Sequence, residues 1–425
     1  MLEIFDEIEI LKPMRSYGFV LKLIALFIFS LLLLYSVAMV SNYLSIIVAI
    51  LTFFVLILIF FPPSIKTNFQ YFTWLLFIIV IGTSIRLFLA FFYFGNFDME
   101  SYTTVSEIVL KGLNVYNETP FYNYSPVWFN ILGPLRIFSD NFSLPFHFAV
   151  RGFLTIIDII TLSLILAIGI SEGLSKTSLI RLSLLYYLNP ITYLITGYHG
   201  QFENMALLFV ILGLFLLIKS RDGNEELKYL SWLSFSVGLI IKHDTLVVVI
   251  TGIINLFKKG KYIVIFLSIA AVFFLLTFIF YWSEGSQGII SHVFMYGGIY
   301  GIYGITSFVR IPDLKYLFIA GLLLYPFLIQ EREIAEQFLL GSLFFITFTT
   351  GIGIQFFVLP VVFGALHPSK WFLLYTFITS IVILGAIENL SLSGFSFFTF
   401  NATWICALFW FVSTHFQLVD NTKKW

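Results

Sequence analysis

Long apolar runs separated by short polar breaks dominate the chain. Runs at roughly 21–41, 43–62, 71–95, 146–169, 180–197, 204–219, 262–282, 314–330, 371–387 and 397–416 each approach the length of one helix through a hydrocarbon core, which takes about 20 residues. Two further runs, 229–257 and 336–366, would each reach about 43 Å or more as a single helix, longer than a core of about 30 Å. Both are interrupted, at Lys242-His243-Asp244 and at Gly351-Ile352-Gly353, so each reads as a hairpin of two short spans. The pattern predicts an all-α fold, a polytopic transmembrane helical bundle of about 14 spans.

Charge placement orients this bundle. With both termini cytoplasmic, most of the 23 Lys and Arg fall on the inner side, among them Lys66, Lys176, Arg221, Lys258, Lys259 and Lys424. Reading either interrupted run as one span would move later basic loops outside. The outer side then holds a long first loop, 96–145, with short amphipathic helices, a second from Ser283 to Asp313, and turns at 198–204, 242–244 and 351–355. All five Asn-x-Ser/Thr sequons, at Asn117, Asn123, Asn141, Asn389 and Asn401, lie on or beside that face. Glu3, Asp6, Glu7 and Glu9 precede the first run, unlike the basic start of a cleaved signal peptide, so that run reads as a retained signal-anchor. Three regions follow: a pair of spans over 1–70, a core over 71–366 and a second pair over 367–425.

Composition strengthens the membrane reading. Of 425 residues 60% are apolar and 11% charged, against about a quarter charged in soluble domains. The formal net charge is zero and the basic cluster Lys258-Lys259-Gly260-Lys261 is short, so no nucleic-acid surface is indicated. A single cysteine, Cys406, excludes an internal disulfide and a cysteine metal cluster. The expected location is the plasma membrane of a prokaryote or the ER membrane, with the chemistry facing outside or lumen.

The outer segments carry the candidate chemistry. Asp98-Met-Glu100-Ser-Tyr102 follows directly on an apolar run, where a carboxylate against an apolar wall gains basicity. The bland alternative is a solvated loop acid, which fits poorly with the Phe, Tyr and Trp128 packed into the same loop. The turn Gly197-Tyr198-His199-Gly200-Gln201-Phe202-Glu203-Asn204 crowds polar groups into apolar sequence, as a site or as an interhelical hydrogen-bond knot. Lys242 and His243 suit a phosphate leaving group, unless Lys242 merely staples a re-entrant hairpin to Asp244. Arg310 is a second outward cation, suited to phosphate or to snorkelling at the interface. The run Met295-Tyr-Gly-Gly-Ile-Tyr-Gly-Ile-Tyr-Gly304 has the composition of a flexible lid.

In this order the pieces resemble the GT-C superfamily, polytopic glycosyltransferases that use polyprenyl-phosphate sugars. Asp98-Met-Glu100-Ser-Tyr102 resembles the family's first-loop acidic motif, and Gly112-Leu-Asn114-Val-Tyr116 with Tyr122-Asn-Tyr124-Ser-Pro126 its sequel. His199-Gly200-Gln201-Phe202-Glu203 resembles "H-G-Q-x-D" with Glu for Asp, and Gln355-Phe-Phe-Val-Leu-Pro360 is similar in part to the late "Q-Y-x-x-W-x-x-P" segment. The resemblance implies that Asp98 is the catalytic carboxylate, with Glu100 supporting it or binding a divalent cation, although hard cations want several oxygen ligands. It implies a hexosyltransferase, with mannose among the candidate sugars, that takes a polyprenyl- or dolichyl-phosphate donor and a lipid-linked or membrane acceptor. Lys242, His243 and Arg310 would meet the donor phosphate, and Tyr102, Tyr124, His199, Gln201, Glu203 and Gln355 would line the substrate pocket. Two other classes stay open: a lipid or glycan transporter, which also buries ionisable groups at mid-membrane, and a non-catalytic membrane subunit.

Overall fold

The computed structural model describes residues 44–256, 260–296, 299–301, 303–308, 314–385 and 396–417. The first expected span, its acidic leader, Lys258-Lys259, Arg310, Asn389 and the C-terminal Lys pair lie outside these residues.

The described chain is almost wholly helical, as the apolar runs predict. α1 (Leu44–Phe60) and α2 (Asn68–Phe92) lead into α3 (Phe97–Leu110), α4 (Val115–Glu118) and α5 (Pro126–Asn141), the short helices of the first loop. Then come α6 (Phe146–Ser171), α7 (Lys176–Tyr187), α8 (Pro190–Leu194) and α9 (Glu203–Lys219). α10 (Glu225–Ile241), α11 (Leu246–Leu256), α12 (Gly260–Leu276) and α13 (Trp282–Gly288) follow. A minimal antiparallel ladder joins β1 (Ile299–Tyr300) to β2 (Gly351–Ile352), pairing Ile299 with Ile352 and Tyr300 with Gly351. Between them run α14 (Ile305–Phe308), α15 (Leu314–Leu328) and α16 (Ile334–Phe348); α17 (Leu359–Leu366), α18 (Lys370–Gly385) and α19 (Ser396–His415) complete the order.

The interrupted runs are interrupted in space. α10 stops at Ile241, the backbone turns extended at Lys242, and a 3-10 turn at His243–Thr245 leads into α11. α16 stops before β2, after which a 3-10 turn at Ile354–Val358 precedes α17. The run 180–197 is also divided, because Pro190 lacks an amide hydrogen and begins a new helix with Asn189 as its cap.

Two of the described helices, α2 and α6, are long and apolar enough to cross a bilayer, whereas apolar helices such as α15, α16 and α18 are shorter. α2 buries Ile78, Ile85 and Leu89 and turns Phe72, Leu76 and Val80, spaced four apart, away from the protein. Two apolar clusters form the core. The larger joins α1, α2, α6 to α12 and α15 to α19; the smaller packs α3 to α5 over Phe146, Phe202, Phe278 and Ile289. Asn401 departs from the sequon reading: it is buried within α19 and accepts from Ser307 Oγ at 2.9 Å, a setting closed to glycan attachment.

Candidate functional site

The site begins where α2 ends. Tyr93 caps α2 in an extended conformation, Gly95 turns the chain at φ +110°, and Asn96 caps α3, its Oδ1 accepting from the Asp98 amide at 3.2 Å. Arg151, fully buried on α6, donates through Nη1 to the Tyr93 carbonyl at 2.6 Å and through Nη2 to that of Phe94 at 2.5 Å. A Cβ at Gly95 would lie 1.9 Å from Arg151 Nη2, so this close approach requires glycine.

α3 separates the two carboxylates of the first loop. Residues two apart on a helix point some 200° away from one another, so Asp98 turns inward and Glu100 outward into exposure. Glu100 therefore does not share a site with Asp98, contrary to the expected pairing. Among the described residues no three His, Cys, Asp or Glu side chains converge as a metal-ligand set.

Asp98 meets the second segment, the turn after α8. A π-helical turn, Ile195–His199, ends at Gly200 with φ +68°, where a Cβ would come within 2.7 Å of Met99 Sδ. This geometry folds His199, Gln201 and Glu203 inward, all three buried. Asn96 Nδ2 lies 3.0 Å from Asp98 Oδ2 and 2.8 Å from His199 Nδ1. Tyr102 donates to Gln201 Oε1 at 3.2 Å. Gln201 Nε2 approaches Asp98 outside strict hydrogen-bond geometry, yet near enough to favour its charged form.

Lys242 is the third contributor. Its ammonium forms a buried ion pair with Glu203, not with Asp244, and sits 4.7 Å from the ring centroids of Tyr124 and Phe202 and 5.6 Å from Phe356. An ammonium among aromatic faces and beside a carboxylate is well compensated despite its burial. It is not the open phosphate-binding cation the sequence suggested. His243 points elsewhere: it is 43% exposed, with Nε2 3.5 Å from Asp244 Oδ1. Gln355 stays partly exposed in the 3-10 turn, its amide against Gly353, while its neighbour Phe356 faces Lys242.

These placements set the electrostatics. Burial raises the Asp98 carboxyl above the ordinary range, opposed in turn by Gln201, Lys242 and Asn96. Burial, reinforced by the Arg151 guanidinium, pushes His199 down to about 3, so its ring is neutral. Tyr124, buried and facing Asp98 and Glu203, is held well above the usual phenol range. Tyr296, from the glycine- and tyrosine-rich run, is raised by burial and then by Asp98 and Asp244. The chain thus gathers Asp98, Tyr102, Tyr124, His199, Gln201, Glu203 and Lys242, with Glu100 and His243 outside the cluster.

Sequence reasoning missed Asn96, Arg151 and a second buried pair. Arg86 and Asp158, both fully buried, meet at 2.8 Å, and Asp158 Oδ1 accepts from Asn204 Nδ2 at 2.7 Å. Arg86 also donates to the Tyr187 carbonyl at 2.8 Å and to Thr192 Oγ1 at 3.1 Å, tying α2, α6, α7 and α8 beneath the His199 turn. The available signal was an ionisable residue inside an apolar run. Comparison with protein-family models, curated proteins and solved structures returns no match.

Proposed function

We propose that this protein is a multi-pass membrane glycosyltransferase of GT-C type. It would move one hexose from a polyprenyl- or dolichyl-phosphate donor to a lipid-linked or membrane acceptor at the outer or lumenal face, with inversion. The observation that carries this reading is the setting of Asp98: a carboxylate made more basic by burial, at the start of a helix that directly follows a long apolar one, facing Gln201 and Lys242. A general base needs that combination of raised basicity and fixed orientation.

On this reading Asp98 takes the proton of an acceptor hydroxyl as its oxygen attacks the anomeric carbon. The bond from that carbon to the donor phosphate oxygen breaks, and polyprenyl phosphate leaves with the electron pair. Lys242, balanced by Glu203, acts at one remove by favouring the charged form of Asp98, and the exposed His243, outside the cluster, would be left to meet the donor phosphate. The apolar faces that α2 and α6 turn outward, with Phe72, Leu76, Ile156 and Ile160 all exposed, support burial of these two helices in a bilayer; the bundle of about 14 spans rests on the apolar runs and charge placement of the sequence.

The test is transfer of radiolabelled sugar from a panel of polyprenyl-phosphate donors by purified protein in lipid nanodiscs. Asp98→Asn is expected to lower turnover by about 10²–10⁴-fold while the protein stays folded. Full activity in that variant overturns the assignment. Donor movement across vesicles without sugar transfer would instead mark a transporter.

A further inference from the structure

The carboxamide of Asn96 stands between two groups of the cluster and contacts both. Nδ2 lies 3.0 Å from Asp98 Oδ2 and 2.8 Å from His199 Nδ1, while Oδ1 accepts from the Asp98 amide at 3.2 Å. An Asn amide nitrogen has two hydrogens and no acceptor capacity, so both contacts have Asn96 as donor. His199 Nδ1 must then be the unprotonated nitrogen, and the proton of the neutral ring sits on Nε2, an atom buried without a hydrogen-bond partner among the described residues.

We infer that Asn96 is a positioning residue that ties the Asp98 carboxylate to the His199 turn and fixes His199 as its Nε2–H tautomer. A capping role alone leaves the amide nitrogen unused, since Asp serves as a helix cap about as well as Asn. The groups around Asp98 come from several elements: Tyr102 on α3 itself, Tyr124 from the segment before α5, Gln201 from the turn, Lys242 from the break after α10 and Tyr296 after α13. Beside the Tyr102–Gln201 link between α3 and the turn, Asn96 is the residue whose side chain contacts both the Asp98 carboxylate and the His199 ring. The consequence for sugar transfer rests on the glycosyltransferase reading; the tautomer and the carboxylate contact do not.

Asn96→Asp separates the two roles, because it keeps the cap and the size but replaces the donor with an acceptor. Two readouts need no activity. In protein labelled with ¹⁵N-histidine, and with His199→Gln used to assign the signal, wild type is expected to give the Nε2–H tautomer. Asn96→Asp is expected to convert it to Nδ1–H, since a carboxylate there accepts from Nδ1. The Asp98 carboxylate infrared band, isolated by subtracting the Asp98→Asn spectrum, is expected to shift in Asn96→Asp relative to wild type. A wild-type tautomer and an unmoved band in Asn96→Asp would reduce Asn96 to a cap and overturn the inference. Where transfer is measurable, Asn96→Asp should lower kcat more than it raises KM. If no protein form transfers sugar, the functional reading fails while both spectroscopic readouts still decide this one.

Discussion

At Asp98 two opposing effects meet: burial favours the neutral acid, whereas Gln201, Lys242 and Asn96 favour the charged base. Burial is the larger, so the base form required for proton abstraction fills in only above the usual carboxylate range of about 4. Transfer is therefore expected to rise with pH, with a midpoint above that range, in a rate profile measured at saturating donor. The stability consequence has the opposite sense. A raised native pKa stabilises the fold below the unfolded value, and that contribution is lost as pH rises through the native one. The amide introduced by Asp98→Asn does not titrate, so at pH 7 this variant should melt no lower than wild type by scanning calorimetry. Lys242 and Glu203 behave differently, being paired and each 1% exposed. Glu203→Gln or Lys242→Met alone should cost about 3–5 kcal/mol by leaving a buried charge, and the double variant should recover much of it. Asp98 could be singled out from sequence because a carboxylate directly after an apolar run is conspicuous. The partner of Lys242 could not, because Glu203 is remote in the chain and Asp244 is adjacent; a 3-10 turn sends consecutive side chains in different directions.

At the level of elements, the site depends on how three helices begin and end. α3 starts before Asp98 and carries Glu100 in its first turn, which decides that the two carboxylates face apart; treated as loop residues they pair, treated as helix residues they cannot. The interruptions after α10 and α16 were legible because lysine and glycine stand out against apolar sequence, and they mark the turns that bring Lys242 and Phe356 together. Arg151 was not legible as a site residue, since an arginine alone within a run does not say which carbonyls it will reach. The turn at Gly200 offers a direct test. Gly200→Ala must place a Cβ at φ +68° and against Met99, costing at least about 1–2 kcal/mol. Its effect on transfer should exceed its effect on melting temperature, because the displaced groups are His199 and Gln201; equal loss of both would mark the turn as merely structural.

For the whole molecule, the described residues form an almost wholly helical structure with two helices of bilayer-crossing length. Charge parity makes a sharper expectation, checked in a Cys406→Ala background with a membrane-impermeant maleimide on sealed vesicles. Glu118→Cys and Glu226→Cys, both at exposed positions, should label from opposite sides. Labelling from one side would break the count of spans between them. The two-residue ladder of β1 and β2 links what lies far apart in sequence: Ile299 and Tyr300 of the glycine- and tyrosine-rich run, and the segment that leads into the turn whose Phe356 ring faces Lys242. On the glycosyltransferase proposal, a substrate that displaced Tyr300 would act through its pairing with Gly351 on the segment whose Phe356 ring walls the Lys242 cage, so that binding and the surroundings of the base would be coupled.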